Sequence, residues 1–283
     1  SSVAGHKRAF GTDTVPGVYE DLEQADLVVM VGSNLAWCHP VLYQRLQAAR
    51  KERGSKVIVI DPRRTATAET ADMHLPLQPG SDIALFNGLM AWLSREGKFD
   101  DAFIAGHTTG MAQALKTAEE WTPEKVAARC GLALERVVEF YRLFAETERT
   151  VTVYSQGVNQ STAGTDKVNA VINCHLATGR IGKPGMGPFS VTGQPNAMGG
   201  REVGGLANQL ACHLELDDPA HRQVAQNFWD SPVIAGSAGL KAVDLFDAVA
   251  DGRIKALWIM ATNPAVSLPD ADRVRDAIAQ CPF

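Results

Sequence analysis

The sequence predicts an α/β protein in which a doubly wound parallel sheet is followed by part of a second α/β domain. Short apolar runs rich in Val, Ile or aromatic residues indicate four buried strands, at residues 26–31, 56–60, 151–154 and 256–260. Helical patterns alternate with these runs, which is typical of parallel βαβ units. A glycine-rich stretch at 182–205 interrupts the alternation.

The helical patterns have recognisable ends. They cover residues 39–53, 81–95, 134–146, 167–178, 241–250 and 270–280. Gly54 follows the first pattern as a C-terminal cap, and Ser81 and Asp82 are suitable N-cap residues. Thr122 and Pro123 predict one further helix start, with the proline at the first helical position.

The stretch 182–205 contains eight glycines and three prolines, and neither helical nor strand periodicity continues through it. An irregular segment of this length within a compact protein is usually functional or a linker. We therefore expect a domain boundary near residue 190, which separates a ligand-binding domain (1–190) from the glycine-rich loop and part of a second domain (191–283).

Composition excludes several classes of protein. Of the 283 residues, 45% are hydrophobic and 21% charged, which is enough apolar material for a core and excludes a disordered chain. The net charge of −5 and the lack of a long Lys/Arg run argue against nucleic-acid binding. No apolar run approaches the roughly 18 residues of a membrane span. The five cysteines form no C-x-x-C pair and favour a reducing, cytoplasmic location.

Small and polar residues follow the predicted strands, at the edge where parallel sheets bind ligands. Four such strand ends, together with the glycine-rich loop, favour a large ligand that carries phosphate, although ordinary turns use the same residue types. Asp61 is either a ribose-binding carboxylate or a turn residue before Pro62. Neither a G-x-G-x-x-G motif nor a P-loop or G-x-S-x-G motif is present.

Two further features have competing interpretations. Arg201, in the glycine-rich loop, is either an exposed surface residue or a cation that meets an anion in a cleft. Three Cys-His neighbours occur in the sequence, and we interpret them as packing residues because adjacent helical side chains diverge too far to chelate one metal. They are Cys38-His39, Cys174-His175 and Cys212-His213.

Four long blocks, at 31–46 (VGSNLAWCHPVLYQRL), 60–85, 156–205 and 260–275 (MATNPAVSLPDADRVR), resemble the molybdopterin oxidoreductases. Within that family they are most similar to the bacterial assimilatory nitrate reductases. The resemblance covers essentially the whole chain. It implies a Rossmann-like domain and part of a second domain, in the architecture of the DMSO-reductase group. It also implies that this sequence is an internal fragment, inactive without its flanking regions.

The resemblance implies a molybdenum atom held by two molybdopterin guanine dinucleotides. A cysteine metal ligand and a 4Fe-4S cluster would lie before residue 1, so the chain itself supplies no metal ligand. The implied reaction is reduction of nitrate to nitrite in nitrate assimilation, with an electron-donor protein or reductase subunit as partner. Alternatives are a periplasmic nitrate reductase, a formate dehydrogenase, or a metal-free scaffold domain.

The resemblance also assigns roles to residues of this sequence. One dinucleotide would lie along Gly32, Ser33, Asn34 and His39, and its guanosine would meet Asp61, Arg63 and Asp82. The pterin would meet Gln156, Asn159 and Gln160. Gly193, Gln194 and the catalytic Arg201 would face the metal pocket. Gly80 and Gly157 complete the cofactor-binding set with Asn263 and Asp270, which belong to the second half-site.

Overall fold

The computed structural model describes residues 1–194 and 196–283, which divide into two compact units, Ser1–Pro195 and Asn196–Phe283. The first contains a five-stranded, fully parallel sheet in the order β3-β2-β1-β4-β5. The strands are β1 (Leu27–Val31), β2 (Lys56–Ile60), β3 (Met73–Leu75), β4 (Thr150–Tyr154) and β5 (Gly187–Ser190). The predicted α/β class with a parallel sheet is thereby confirmed.

Twelve helices belong to the described part of the first unit. They are α1 (Ser2–Phe10), α2 (Tyr19–Gln24), α3 (Leu35–Cys38), α4 (Pro40–Arg53), α5 (Ala66–Glu69), α6 (Asp82–Arg95), α7 (Asp101–His107), α8 (Met111–Ala118), α9 (Pro123–Cys130), α10 (Leu134–Glu146), α11 (Gln156–Asn159) and α12 (Gly164–Ala177). The described residues of the second unit form α13 (Ala197–Glu202), α14 (Pro219–Trp229), α15 (Ala242–Ala250), α16 (Pro264–Ser267) and α17 (Ala271–Gln280), with a 3-10 turn at Ala211–His213. None of these helices is both long and apolar enough to cross a bilayer.

Helices cover both faces of the sheet because side chains alternate along the central strand. Val28 and Met30 pack with one apolar cluster that includes Leu46 of α4. Leu27 and Val29 pack on the opposite face, where Phe86, Phe140, Tyr141 and Phe144 are fully buried. A strand that is buried on both faces has a continuous run of apolar residues, which makes β1 recognisable in the sequence.

Several predicted bounds are confirmed. β2 and α10 have the bounds that the sequence predicts, and α4 ends at the Gly54 cap, which has a left-handed backbone (φ +73°). Thr122 caps α9 by accepting a hydrogen bond from the Lys125 N–H, with Pro123 in the first helical position. Local signals were sufficient here because caps and periodicity act within one or two helical turns.

The predicted strand at 256–260 is wrong. The segment is irregular, and Trp258 and Met260 are 88% and 70% exposed. The Leu257 N–H donates to the Phe283 carbonyl, and no strand among the described residues pairs with the segment. An apolar run becomes a strand only when a neighbouring strand pairs with its backbone groups.

The expectation that 182–205 lacks regular structure is also wrong in part. β5 and α13 both lie within it. β5 contains Gly187 and Pro188, which conceal the usual strand pattern but are tolerated at the edge of a sheet. The units divide at residue 195, five residues after the boundary we expected.

Candidate ligand-binding site

A cleft of about 580 Å³ lies at the carboxyl ends of β1, β2 and β4. Ten of the predicted binding residues line it: Gly32, Asn34, Asp61, Arg63, Gly80, Asp82, Gln156, Gly157, Gln160 and Gly193. The parallel sheet explains this convergence, because residues that follow adjacent strands meet at one edge. Ser33, His39, Asn159 and Gln194 lie in the same unit but not among the residues that line the cleft.

Two glycines bring the loops after β1 and β4 into direct backbone contact. The Gly157 N–H donates to the Gly32 carbonyl at 3.0 Å, and Gly32 has a left-handed backbone (φ +53°). A Cβ atom on either glycine would lie 2.6 Å from the Cα of the other. Only glycine fits at both positions, so this part of the cleft is lined by backbone that a ligand can approach closely.

Two buried polar side chains beside the cleft lack hydrogen-bond partners among the described residues. The two atoms are Ser33 Oγ, in the loop after β1, and Asn159 Oδ1, in α11. Ser33 is 2% exposed and Asn159 is 9% exposed. A buried group without a partner costs about 1–3 kcal/mol. These atoms therefore indicate that a polar ligand completes their hydrogen bonding.

Asn34 is held in place by a side chain of α5, and Asp61 is held by its own turn. Thr67 Oγ1 donates to Asn34 Oδ1 at 2.8 Å and accepts from the Ala36 N–H at 3.0 Å. Asp61 Oδ1 accepts from the Arg63 N–H at 2.9 Å, which is the turn role that the sequence left open. The Arg63 guanidinium remains 79% exposed and lies 4.0 Å from that carboxylate. Asp61 thus forms the turn and lines the cleft.

Asp82 forms an ion pair that the sequence did not predict. Lys167 Nζ lies 2.7 Å from Asp82 Oδ2, and both residues line the cleft. Lys167 is in the first turns of α12, the helix that follows the glycine-containing end of β4. Because Lys167 follows that strand end in the sequence, its place in the cleft is predictable from the sequence. Its pairing with the start of α6 depends on how the helices pack.

The buried Cys-His neighbour has a packing role in the structure. His175 Nε2 lies 2.8 Å from Thr152 Oγ1, and burial, with a contribution from Arg180, holds the pKa of His175 well below its usual value. Burial also raises the pKa of the Cys174 thiol. Over the two described ranges, no three His, Cys, Asp or Glu side chains are grouped so that they could hold a metal ion.

The remaining predicted residues belong to the second unit. Arg201 is in α13, where its side chain contacts Met198 Sδ and its carbonyl accepts from Gln209 Nε2 at 2.8 Å. Asn263 is the residue before α16 and makes no capping hydrogen bond with its side chain, and Asp270 precedes α17 with a left-handed backbone (φ +54°). Asp270 also lines a separate cavity of about 230 Å³ between α15 and α17.

Comparison with known proteins shows which family this chain resembles along its length. Residues 3–283 match the profile of the molybdopterin oxidoreductase family. Nitrate reductases of Klebsiella oxytoca and Shewanella frigidimarina are 53% and 51% identical to the whole chain. The chain spans 32% and 30% of those two proteins, about a third of their length.

The fold has a counterpart among solved structures. Acetylene hydratase from Pelobacter acetylenicus superposes with a TM-score of 0.72 over 99% of this chain and 40% of its own. At 20% identity, this likeness concerns the fold.

Proposed function

Because this chain belongs to the molybdopterin oxidoreductase family, we propose that it is the cofactor-binding part of a molybdenum enzyme that reduces nitrate to nitrite in nitrate assimilation. The observation that carries the proposal is the 51–53% identity to nitrate reductases along the entire chain. The strand-end cleft, with its glycine contact and unsatisfied polar atoms, supports the cofactor role.

The residues of the cleft suit a dinucleotide form of the pterin cofactor, and we propose molybdenum bis(molybdopterin guanine dinucleotide). The backbone at Gly32 and Gly157 would allow a phosphate to approach. The Ser33 hydroxyl would donate to a phosphate oxygen, and Asn159 Oδ1 would accept from an N–H of the pterin. Asp61 would accept a hydrogen bond from a sugar hydroxyl. When bound, the cofactor supplies the two-electron chemistry that converts nitrate and two protons into nitrite and water.

Arg201 would act on the substrate. Nitrate is a planar anion, and the planar guanidinium can donate two parallel hydrogen bonds to it, which a lysine cannot do. A fixed cation also stabilises the negative charge that moves between oxygens during the reaction. We therefore assign Arg201 to nitrate binding and turnover rather than to cofactor retention.

The remaining elements of the proposal concern the whole enzyme. A 4Fe-4S cluster outside residues 1–283 would deliver electrons from a donor protein or reductase subunit, and a cysteine thiolate, also outside these residues, would bind the metal and tune it. We propose a cytoplasmic location, which the five free cysteines support. Residues 1–283 without the rest of the enzyme would not reduce nitrate.

The test uses the purified full-length enzyme. Its molybdenum content is measured by elemental analysis, and it is supplied with a reduced viologen dye and nitrate, or with formate and an oxidised dye. We expect nitrite formation and no formate oxidation. Molybdenum-loaded enzyme that oxidises formate, or that forms no nitrite, contradicts the proposal.

A further inference from the structure

A buried glutamine, Gln209, holds the backbone of the residue to which we assign nitrate binding. Its Nε2 donates to the Arg201 carbonyl at 2.8 Å, and the residue is only 4% exposed. The Gly204 N–H donates to the same carbonyl at 3.0 Å. The carbonyl lies in the last turn of α13, where no further helical turn supplies a donor. These two bonds therefore fix the end of the helix that carries Arg201.

Gln209 is itself fixed by the segment that follows it. It forms an antiparallel bridge with Glu215, and the Leu210 N–H donates to the Leu214 carbonyl at 2.9 Å. Leu210 and Leu216 are buried in a small apolar cluster that also includes a residue of α14. The amide of Gln209 thus connects α13 to this apolar cluster of the second unit through a hydrogen bond.

Stability alone does not explain an amide at this position. Gln209 Oε1 is buried, and it has no hydrogen-bond partner among the described residues. Burying a polar atom without a partner is unfavourable. A methionine of similar length would fill the same space and leave no polar atom unsatisfied. What the amide adds is the hydrogen bond to the Arg201 carbonyl.

We propose that Gln209 is a positioning residue for Arg201, and that it acts on nitrate reduction only through this arginine. A guanidinium that donates two parallel hydrogen bonds to a planar anion has to lie in the plane of that anion, so a small displacement weakens both bonds. Misplacement of a binding group by about 1 Å can lower a rate by about a hundredfold. The Gln209 bond restrains the backbone from which the arginine side chain extends.

This inference rests on the proposed function, in which Arg201 binds nitrate, and adds a second residue that acts behind the arginine. The substitution that tests it is Gln209→Met in the full-length enzyme. This change removes the donor and keeps the length, so molybdenum content and melting temperature should stay close to those of the wild type. Per molybdenum atom, we expect kcat/KM for nitrate to fall about tenfold, with a higher KM as well as a lower kcat.

The rise in KM separates positioning from a general structural defect, because a smaller folded fraction lowers the apparent kcat and leaves KM unchanged. Gln226→Met is the matched control, since Gln226 Nε2 donates to the Pro232 carbonyl at 3.2 Å in the same unit. It should leave both constants unchanged. If Gln209→Met fails to fold, Gln209→Asn keeps the amide but is one methylene too short to reach the Arg201 carbonyl, and should give the same kinetic change.

A double-mutant cycle with Arg201→Ala then tests whether Gln209 acts through the guanidinium. The alanine variant keeps the backbone carbonyl that Gln209 bonds, but it lacks the guanidinium. Adding Gln209→Met to Arg201→Ala should therefore change the remaining turnover by less than about twofold. An effect on folding would instead lower turnover by the same factor in both backgrounds.

Hydrogen exchange gives a readout that depends neither on turnover nor on the cofactor. The backbone N–H groups of residues 203–205 donate to carbonyls of α13. Measured by mass spectrometry on the purified full-length protein, their exchange should become faster in Gln209→Met and stay unchanged in Gln226→Met.

The inference is overturned if Gln209→Met keeps the kcat and KM of the wild type, or if it loses the same factor in the Arg201→Ala background. Unchanged exchange at 203–205 overturns it as well. Any of these results in an enzyme that forms nitrite refutes the inference alone. A wild type that forms no nitrite refutes the proposed function, and the exchange measurement then still decides whether Gln209 fixes the end of α13.

Discussion

The contact between Gly32 and Gly157 allows the sharpest test of the cleft geometry, through Gly157→Ala. The added Cβ would lie 2.6 Å from the Gly32 Cα and 3.0 Å from the Gly32 carbonyl oxygen. Both atoms are backbone at the end of β1, so neither can rotate away. The loops after β1 and β4 must separate, which should change the part of the cleft where backbone meets the ligand.

The magnitude follows from the cost of overpacking, which is about 1–3 kcal/mol for a close-packed site. For a unit of this size, each kcal/mol lowers the melting temperature by about 2–4 °C. We therefore expect Gly157→Ala to lower the melting temperature of the full-length protein by about 2–12 °C. We also expect reduced molybdenum content, because the displaced loops line the cofactor cleft.

The assay combines thermal unfolding with elemental analysis of the purified enzyme. The matched control is Gly106→Ala, because Gly106 is in α7 and a Cβ there meets no atom within 4 Å. That substitution should leave molybdenum content unchanged and stabilise the helix by up to about 1 kcal/mol. A Gly157→Ala enzyme with the melting temperature and molybdenum content of the wild type would show that the two loops do not touch as described.

Three further outcomes are expected. Arg201→Ala in the full-length enzyme should keep its molybdenum but lose roughly ten- to thousandfold in turnover, with partial recovery in Arg201→Lys. Arg253→Ala, at an exposed arginine of the same unit, is the control and should change neither molybdenum content nor turnover. Loss of molybdenum in Arg201→Ala would instead show that Arg201 is a cofactor ligand. Asp61→Ala should weaken cofactor binding by about 1–3 kcal/mol. Full molybdenum occupancy in this variant would show that Asp61 has a role in the turn alone. Partial burial raises the pKa of Asp26, but hydrogen bonds from Arg149 and Arg53 outweigh this effect and hold the pKa below its ordinary 3.8. The stabilisation by ionised Asp26 is thus present above about pH 4 and is lost as the pH falls through the lowered pKa. Asp26→Asn should therefore have a lower free energy of unfolding than the wild type at neutral pH, and the difference should shrink in acid. A difference that stays constant with pH in unfolding experiments would contradict this.

Features that depend on residues close together in the chain are predictable from the sequence alone. The run of Val and Ile in β2 has few alternatives to a buried strand, and the pattern of α10 places its apolar residues on one face. The turn at Asp61 and the cap at Thr122 use side chains that bond to backbone two or three residues away. Parallel strands then bring their carboxyl ends to one edge, which is why so many predicted residues share the cleft.

The features that the sequence could not predict depend on residues that are distant from one another in the chain. The run at 256–260 has strand composition but pairs with no described strand, because pairing is a property of two segments. The Gly32–Gly157 contact and the Lys167–Asp82 pair arise from the adjacency of β1 to β4 and from the approach of α12 to α6. Residue types show which groups are able to bind, and packing alone determines which of them lie within a few ångströms of one another.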